Sequence, residues 1–229
     1  KPIKKTLFTL NINDEYDKEL TDLTYPFLKK YAHKMGAEFH VIKERKFPEY
    51  PPTYEKLQIY QLAQEMENDW NLFIDCDALV HPDMMDVTTL VPFDTVAHFG
   101  HDFASNRWKY DRYFLRDGRN IGSCTWFVLC SSWCIDLWKP IDDMDLKSIA
   151  ESIFPTNNEV INNVEPIRLI EDYILSRNIA RFGLKYISIH DLLKKVDIDG
   201  GNFFYHQYAM PTEQKIVLIK KVLDNWNLV

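Results

Sequence analysis

Two aspartates one residue apart are the residues of this chain best suited to chemistry. Asp75 and Asp77 interrupt the apolar stretch WNLFIDCDALV. Alternate side chains of a strand share a face, so we expect the two carboxylates to point the same way, exposed beyond a buried strand, while Cys76 points the other way. Mg²⁺ and Mn²⁺ prefer oxygen ligands, often carboxylates together with substrate phosphates. The pair predicts a metal site for a nucleotide diphosphate; the alternative is a turn-capping Asp75 beside a solvated Asp77.

The elements that would position this pair alternate between strand-like and helix-like patterns. The order β-α-β-α-β, with right-handed crossovers, predicts an α/β fold, a three-layer α/β/α sandwich around a mostly parallel sheet. Ligands of such sheets bind beyond the carboxyl ends of the strands, where the two aspartates fall. The predicted elements are strands Lys4–Ile12 and Ala37–Glu44, helices Asp17–Met35 and Glu55–Glu67, and the strand that leads to Asp75.

Composition limits the class of protein. The 229 residues suit one α/β domain spanning 1–229. Basic and acidic side chains number 27 and 34, a net charge of −7, which argues against a nucleic-acid or anionic-membrane partner. No apolar run suits a membrane span and no leader is visible, so we expect a cytoplasmic protein. The cysteines lack zinc-site spacing and are expected to be reduced and buried: Cys76, Cys124, Cys130 and Cys134.

The usual glycine-rich nucleotide signatures are missing. With seven glycines the chain has neither GxGxxG nor GxxxxGK[ST]. A Rossmann dinucleotide site and a P-loop kinase are therefore both disfavoured. A metal would have to replace the glycine cradle around the phosphates.

Four segments resemble the GT-A nucleotide-sugar-dependent glycosyltransferases. The Lys-bearing EKLQIYQLA precedes FIDCDALV, which is similar to that family's strand and DxD signature. RNIGSCTWFVLCSSWCIDLW resembles its Asn-x-Gly turn, strand and aromatic helix, and IEDYILSRNIARFGLKY looks like its acidic helix before a Gly-bounded strand. GGNFFYHQYAM is similar to its C-terminal histidine segment. The resemblance implies a GT-A (Rossmann-like) fold, with residues 1–97 as the nucleotide-sugar-binding half and residues 98–229 as the acceptor side and C-terminal metal-ligand segment.

The resemblance also implies a reaction. Mn²⁺ or Mg²⁺ would be held by Asp75, Asp77 and His206, and would stabilise the charge that builds on a departing nucleotide diphosphate. The implied donor is a nucleotide sugar, in the first place a UDP-sugar, and the implied acceptor is a hydroxyl of a glycan or glycoconjugate. His206 stands among aromatic residues, so a core histidine is the alternative interpretation.

Glu171 and Asp172 are the candidate catalytic bases. Adjacent helical residues point about 100° apart, so only one of them can face the cleft. The resemblance favours Asp172 as general base of an inverting reaction; the alternative is a surface charge paired with Arg168. Asn120 and Gly122 could instead form only a turn. The residues that the resemblance assigns to donor or sugar contact are Thr9, Asn11, Lys56, Asp75, Asn120 and Gly122.

Two other function classes stay open. Haloacid-dehalogenase-type phosphatases also end an apolar strand with DxD, but they carry Thr or Val where this chain has Leu79. A non-catalytic GT-A-like sugar-nucleotide binding module is the other alternative. Cleavage of sugar nucleotides, cleavage of phosphomonoesters, or neither would separate the three classes. The polar, aromatic-rich residues 103–120 suit either an acceptor loop or a long connection.

Overall fold

The computed structural model describes residues 1–99, 125–153, 160–207 and 210–228. Asn120, Gly122, Cys124 and the segment 103–120 lie outside these ranges. The three described cysteines are buried and free, as predicted: Cys76, Cys130 and Cys134.

In the described part of the chain, eight strands form two sheets. The central sheet has the order β2-β1-β3-β6-β5-β7, and β4 pairs with β8 in a separate antiparallel ribbon. Strand β6 is antiparallel to both of its neighbours, whereas the remaining pairings of the central sheet are parallel. The mostly parallel sheet is therefore confirmed. The strands are β1 Lys5–Leu10, β2 Ala37–Ile42, β3 Trp70–Ile74, β4 Leu79–Val80, β5 Thr95–His98, β6 Phe127–Ser131, β7 Lys185–Ser188 and β8 Phe204–Tyr205.

Helices cover both faces of the central sheet, which confirms the three layers. One face packs against α2, α4 and the 3₁₀ segments Pro52–Gln58 and Ser132–Trp138. The other face packs against α1 and α5. The α-helices are α1 Lys18–Met35, α2 Ile59–Glu65, α3 Leu146–Ser152, α4 Ile170–Arg181, α5 Ile189–Lys194 and α6 Thr212–Asn225. None of the described helices is long and apolar enough to cross a bilayer.

Strand β3 shows why the sheet needs both helical layers. Trp70, Leu72 and Ile74 enter the hydrophobic cluster on the α1 side, and Phe73 enters the cluster on the α4 side. A strand buried on both faces carries mostly apolar residues at successive positions, and four of the five residues of WNLFI are apolar. The aspartates follow where this strand ends.

Helix α1 has the ends that the sequence predicts. The Asp17 side chain accepts a hydrogen bond from the Glu19 N–H and caps the first turn. Gly36, at φ 68°, ends the helix in the left-handed region that favours glycine. Both predicted ends of this helix therefore agree with the structure.

The segment between β2 and α2 differs from the prediction. The predicted helix Glu55–Glu67 begins earlier, as the 3₁₀ segment Pro52–Gln58, and becomes α-helical only at Ile59. The buried carboxylate of Glu55 accepts hydrogen bonds from the N–H groups of Lys46 and Phe47. This tertiary contact holds the segment against the preceding loop.

The first two strands are shorter than predicted. Their parallel pairing ends together at Leu10 and Ile42, and the next residue, Asn11, donates its N–H to the Ile42 carbonyl. The chain then turns through Asn13, whose φ of 55° is left-handed. This turn sends the chain over the carboxyl edge of the sheet.

Helix α6 packs on α1 rather than on the central sheet. The two helices share a small apolar cluster, which also takes in one residue of β4. This packing places the start of α6 beside the turn that follows β3. The buried members of the cluster are Leu20, Phe27, Leu79, Ile216, Ile219 and Leu223.

Candidate active site

Asp75 and Asp77 lie in a turn just beyond the carboxyl end of β3, not within the strand. The Asp75 N–H donates to the Trp126 carbonyl over 2.8 Å. The buried hydroxyl of Thr24 donates to the Cys76 carbonyl over 2.5 Å. These bonds fix the turn, so the two carboxylates face the same histidine although strand alternation does not apply.

His206 reaches the aspartates through the β4–β8 ribbon. Strand β4 begins two residues after Asp77 and pairs with β8, which ends immediately before His206. The His206 Nε2 atom lies 3.4 Å from Asp75 Oδ2 and 3.3 Å from Asp77 Oδ1. The Trp126 ring stacks on the imidazole, with ring centroids 5.0 Å apart. The structure thus brings the three predicted metal ligands together.

The donor atoms of this trio fit a divalent cation. One ligand atom from each of Asp75, Asp77 and His206 lies within 4.8 Å of the other two. Asp77 Oδ1 is buried, and within the described ranges no donor makes a well-directed hydrogen bond to it. A buried carboxylate oxygen without a donor is costly unless a cation or another donor satisfies it. Two carboxylates and one imidazole leave coordination positions for phosphate oxygens and water.

The charged groups of the trio shift one another's pKa values. Burial alone would lower the pKa of His206, but the nearby carboxylates of Asp75 and Asp77 raise it to about 9. Burial alone would raise the pKa of Asp75, but Lys56 and His206 bring it down to about 2. Asp75 is therefore ionised and His206 protonated at neutral pH in this arrangement. A metal ion must replace that proton to bind the imidazole.

Lys56 links this trio to a third carboxylate. Its side chain is buried, with Nζ 3.0 Å from Asp75 Oδ1, 3.5 Å from Glu171 Oε1 and 4.6 Å from the centroid of the Phe73 ring. Burial would lower the pKa of Lys56, but Asp75 and Glu171 raise it well above its ordinary value. The ammonium group of Lys56 is thus shared between two carboxylates. The sequence predicts that Lys56 contacts the nucleotide-sugar donor, and it does not predict these two ion pairs.

The neighbouring acids Glu171 and Asp172 occupy the first turn of α4. Glu171 is the one joined to Lys56, and its Oε2 atom is buried without a hydrogen-bond partner in the described structure. Asp172 is half-buried on the adjacent helical position. The sequence favours Asp172 as the base, whereas Glu171 has the visible connection to the metal trio. The catalytic role of either acid stays a prediction.

Two of the predicted donor contacts, Thr9 and Asn11, lie at the end of β1. Thr9 is completely buried, so its hydroxyl offers no surface to a ligand in this conformation. Asn11 is also buried; its Oδ1 accepts the Tyr16 N–H and its Nδ2 donates to the Tyr25 hydroxyl. The Tyr16 side chain as a whole is 43% exposed, and partial burial of its hydroxyl, with Cys76, Asp77 and Asp75 nearby, raises its pKa. Asn11 therefore fixes the turn that carries Tyr16, which lies near the two aspartates.

Lys215 is a site residue that the sequence analysis did not identify. Its Nζ atom lies 2.6 Å from Asp77 Oδ2, and Asp77 is only 5% exposed. The expectation of an exposed Asp77 is therefore wrong, because α6 covers it and supplies a cation. Nothing in the amphipathic pattern of α6 distinguishes Lys215 from the other lysines of that helix. The sequence prediction also does not include Trp126 in the site, although an aromatic residue just before β6 could have indicated it.

Known structures share this architecture. A glycosyltransferase involved in the glycosylation of the major capsid of PBCV-1 aligns over 95% of this chain and 99% of its own, with 13% identity and a TM-score of 0.52. This similarity establishes the fold. No protein-family model and no curated sequence matches the chain.

Two further structures align less well. Mouse xyloside xylosyltransferase 1 aligns over 91% of this chain and 99% of its own, with 9% identity and a TM-score of 0.48. A Drosophila β1,4-galactosyltransferase 7 mutant, in complex with manganese, UDP-Gal and xylobiose, aligns over 93% of this chain and 74% of its own, with 12% identity and a TM-score of 0.46.

Proposed function

We propose that this chain, which has the GT-A fold, is a metal-dependent glycosyltransferase that moves a sugar from a nucleotide-diphosphate donor to a hydroxyl acceptor. The observation that carries the proposal is the trio Asp75, Asp77 and His206, with ligand atoms within 4.8 Å of one another just past the carboxyl end of β3. This edge is where open α/β sheets bind their ligands.

The site suits a diphosphate leaving group. When bound, a divalent cation supplies the charge that stabilises the departing nucleotide diphosphate. Asp75, Asp77 and His206 would hold that cation, and Lys56 keeps Asp75 ionised and correctly oriented through the 3.0 Å ion pair. UDP-sugars are the first donors to test, and a glycan or glycoconjugate is the proposed acceptor.

In this proposal, a side chain of α4 removes the proton from the acceptor hydroxyl. An acceptor hydroxyl must lose its proton as it attacks, and a nearby carboxylate can take it. Asp172 is the proposed base from the sequence resemblance. Glu171, the other candidate base, holds Lys56 through its Oε1 atom, and its Oε2 atom is buried without a hydrogen-bond partner in the described structure.

Calorimetric titration tests the metal dependence of donor binding. UDP should bind the full chain in the presence of Mn²⁺, and binding should be lost in EDTA. The protein should also cleave its sugar nucleotide slowly in water. Equal UDP affinity with and without Mn²⁺ would contradict the proposal. Cleavage of a simple phosphomonoester without cleavage of any sugar nucleotide would indicate a phosphatase instead.

A pair of aspartate variants makes this test specific. Asp77→Asn removes one metal ligand with little change of shape, so metal-dependent UDP binding should fall by at least tenfold. Asp94→Asn is the matched control, because Asp94 pairs with Lys185 at the amino end of β5, the end of the strand away from the site. Equal losses in both variants would point to a general effect of charge rather than to a metal site.

A further inference from the structure

We propose that Lys215 competes with the divalent cation for Asp77, and so weakens the binding of metal alone. The inference rests on the proposed function, because it concerns the metal ligand Asp77. In this proposal, α6 helps to set the metal affinity of a site that lies mainly at the carboxyl end of β3. Lys215 acts here as a positioning residue, since it works through Asp77.

Both oxygens of Asp77 face positively polarised partners. Oδ2 accepts a 2.6 Å hydrogen bond from Lys215, and Oδ1 lies 3.3 Å from His206 Nε2. Because Asp77 is 5% exposed, it has little surface left for another ligand. A cation can therefore reach this carboxylate only beside the ammonium group or by displacing it.

Helix α6 keeps the ammonium group close to the aspartate. The Lys215 N–H donates to the Pro211 carbonyl in the first turn of the helix. The next residue, Ile216, is buried in the cluster that α6 shares with α1, together with Ile219. The backbone of Lys215 is thus anchored, and its side chain reaches Asp77 from a fixed base.

The charges around Asp77 indicate that Lys215 weakens metal binding rather than strengthening it. Once a metal has replaced the proton of His206, three carboxylates, those of Asp75, Asp77 and Glu171, are paired with two ammonium groups, those of Lys56 and Lys215. A metal bound to Asp77 would share that carboxylate with the ammonium group of Lys215, which lies 2.6 Å from Oδ2. At a separation of about 5 Å, repulsion between a divalent and a monovalent cation weakens binding roughly tenfold even at the dielectric constant of water.

Mn²⁺ affinity, measured without nucleotide by electron paramagnetic resonance of free Mn²⁺, tests the inference. Lys215→Gln should bind Mn²⁺ about tenfold more tightly than the natural chain. Lys215→Arg keeps the charge and should bind like the natural chain. Lys220→Gln is the matched control on the same helix, because Lys220 pairs with the exposed Glu19. Lys215→Ala serves as a second neutral variant if the glutamine variant folds poorly.

The outcomes separate this inference from the function on which it rests. Unchanged or weaker Mn²⁺ binding by folded neutral variants, with clear binding by the natural chain, overturns the competition by Lys215 and leaves the proposed metal site standing. Failure of the natural chain and all variants to bind Mn²⁺ overturns both. Tighter binding in Lys215→Gln and Lys215→Ala, but not in Lys220→Gln or Lys215→Arg, supports the inference.

Discussion

Trp126 stacks flat on His206, with their ring planes 8° apart and their centroids separated by 5.0 Å. The same tryptophan fixes the other side of the site, since its carbonyl accepts the Asp75 N–H. One residue just ahead of β6 therefore orients both a histidine and an aspartate of the proposed metal trio. Loss of such supporting contacts typically lowers metal affinity by about 10–100-fold.

Replacing Trp126 should weaken metal binding. In Trp126→Leu the imidazole of His206 loses its flat support, and we expect Mn²⁺ affinity to fall roughly tenfold or more. Trp126→Phe keeps an aromatic face and should lose less. Trp133→Leu is the control, because Trp133 is 73% exposed and packs on Phe93 instead. Equal Mn²⁺ affinity in Trp126→Leu and the natural chain would show that the stacking has no orienting role.

Removing the buried cation Lys56 should destabilise the fold. Lys56→Met leaves Asp75 and Glu171 without their shared ammonium group, so we expect the free energy of unfolding at pH 7 to fall by about 3–5 kcal/mol. Urea denaturation measures the loss. Lys220→Met, at an exposed ion pair, should cost less than about 1 kcal/mol. Mn²⁺ should restore part of the loss in Lys56→Met, and a loss unaffected by Mn²⁺ would argue against a common site.

His98 should make the stability of the protein depend on pH. It is 2% exposed, and burial, with His190 nearby, lowers its pKa to about 4. The unfolded chain, with an ordinary pKa of about 6.5, then binds more protons at intermediate pH. The stabilisation is complete above about pH 6.5 and is lost as the pH falls towards 4, by up to about 3 kcal/mol over some 2.5 pH units.

A variant series isolates this contribution of His98. Denaturation of the natural chain between pH 7.5 and 4.5 should show a steeper loss than denaturation of His98→Gln. His33→Gln, at an exposed position of α1, should follow the natural chain. Parallel pH profiles for all three proteins would show that His98 has an ordinary pKa in the fold.

The two acids of α4 should respond differently to conversion to amides. If Asp172 is the base, Asp172→Asn should keep donor and metal affinity while transfer falls by roughly 10²–10⁴-fold. Glu171→Gln removes one partner of Lys56 and should lower stability as well as turnover. Transfer rate, donor affinity and unfolding are measured on the same preparations. An unchanged rate in Asp172→Asn removes that residue from the mechanism and directs attention to Glu171.

The sequence predicts the parts of this fold that local patterns control. The ends of α1 follow from Asp17 and Gly36, and the strand before Asp75 follows from its mostly apolar residues. His206 could be named only through the family resemblance, because its approach depends on the pairing of β4 with β8. The 3₁₀ start at Pro52 depends on the buried Glu55, which no local pattern reveals.

Long-range ion pairs account for most of what the sequence could not predict at the site. Lys56 and Glu171 are 115 residues apart, and Asp77 and Lys215 are 138 residues apart. Lysines on amphipathic helices usually face solvent, so their periodicity gives no sign of such a partner. Asp77 is buried because α6 docks beside it. The sequence does not reveal this docking, and it therefore predicts a solvated carboxylate instead.

The distance in sequence between Asp77 and Lys215 has a consequence for synthesis on the ribosome. Asp77 emerges, with most of the parallel strands, before its partner Lys215, 138 residues later in the sequence, has been translated. Until α6 docks on α1, the nascent chain presents acidic groups without this partner and an uncovered apolar stripe on α1. Chains tend to fold from the amino terminus as they are made. The order of translation therefore brings Lys215 to Asp77 only after the three proposed metal ligands, His206 included, have been made.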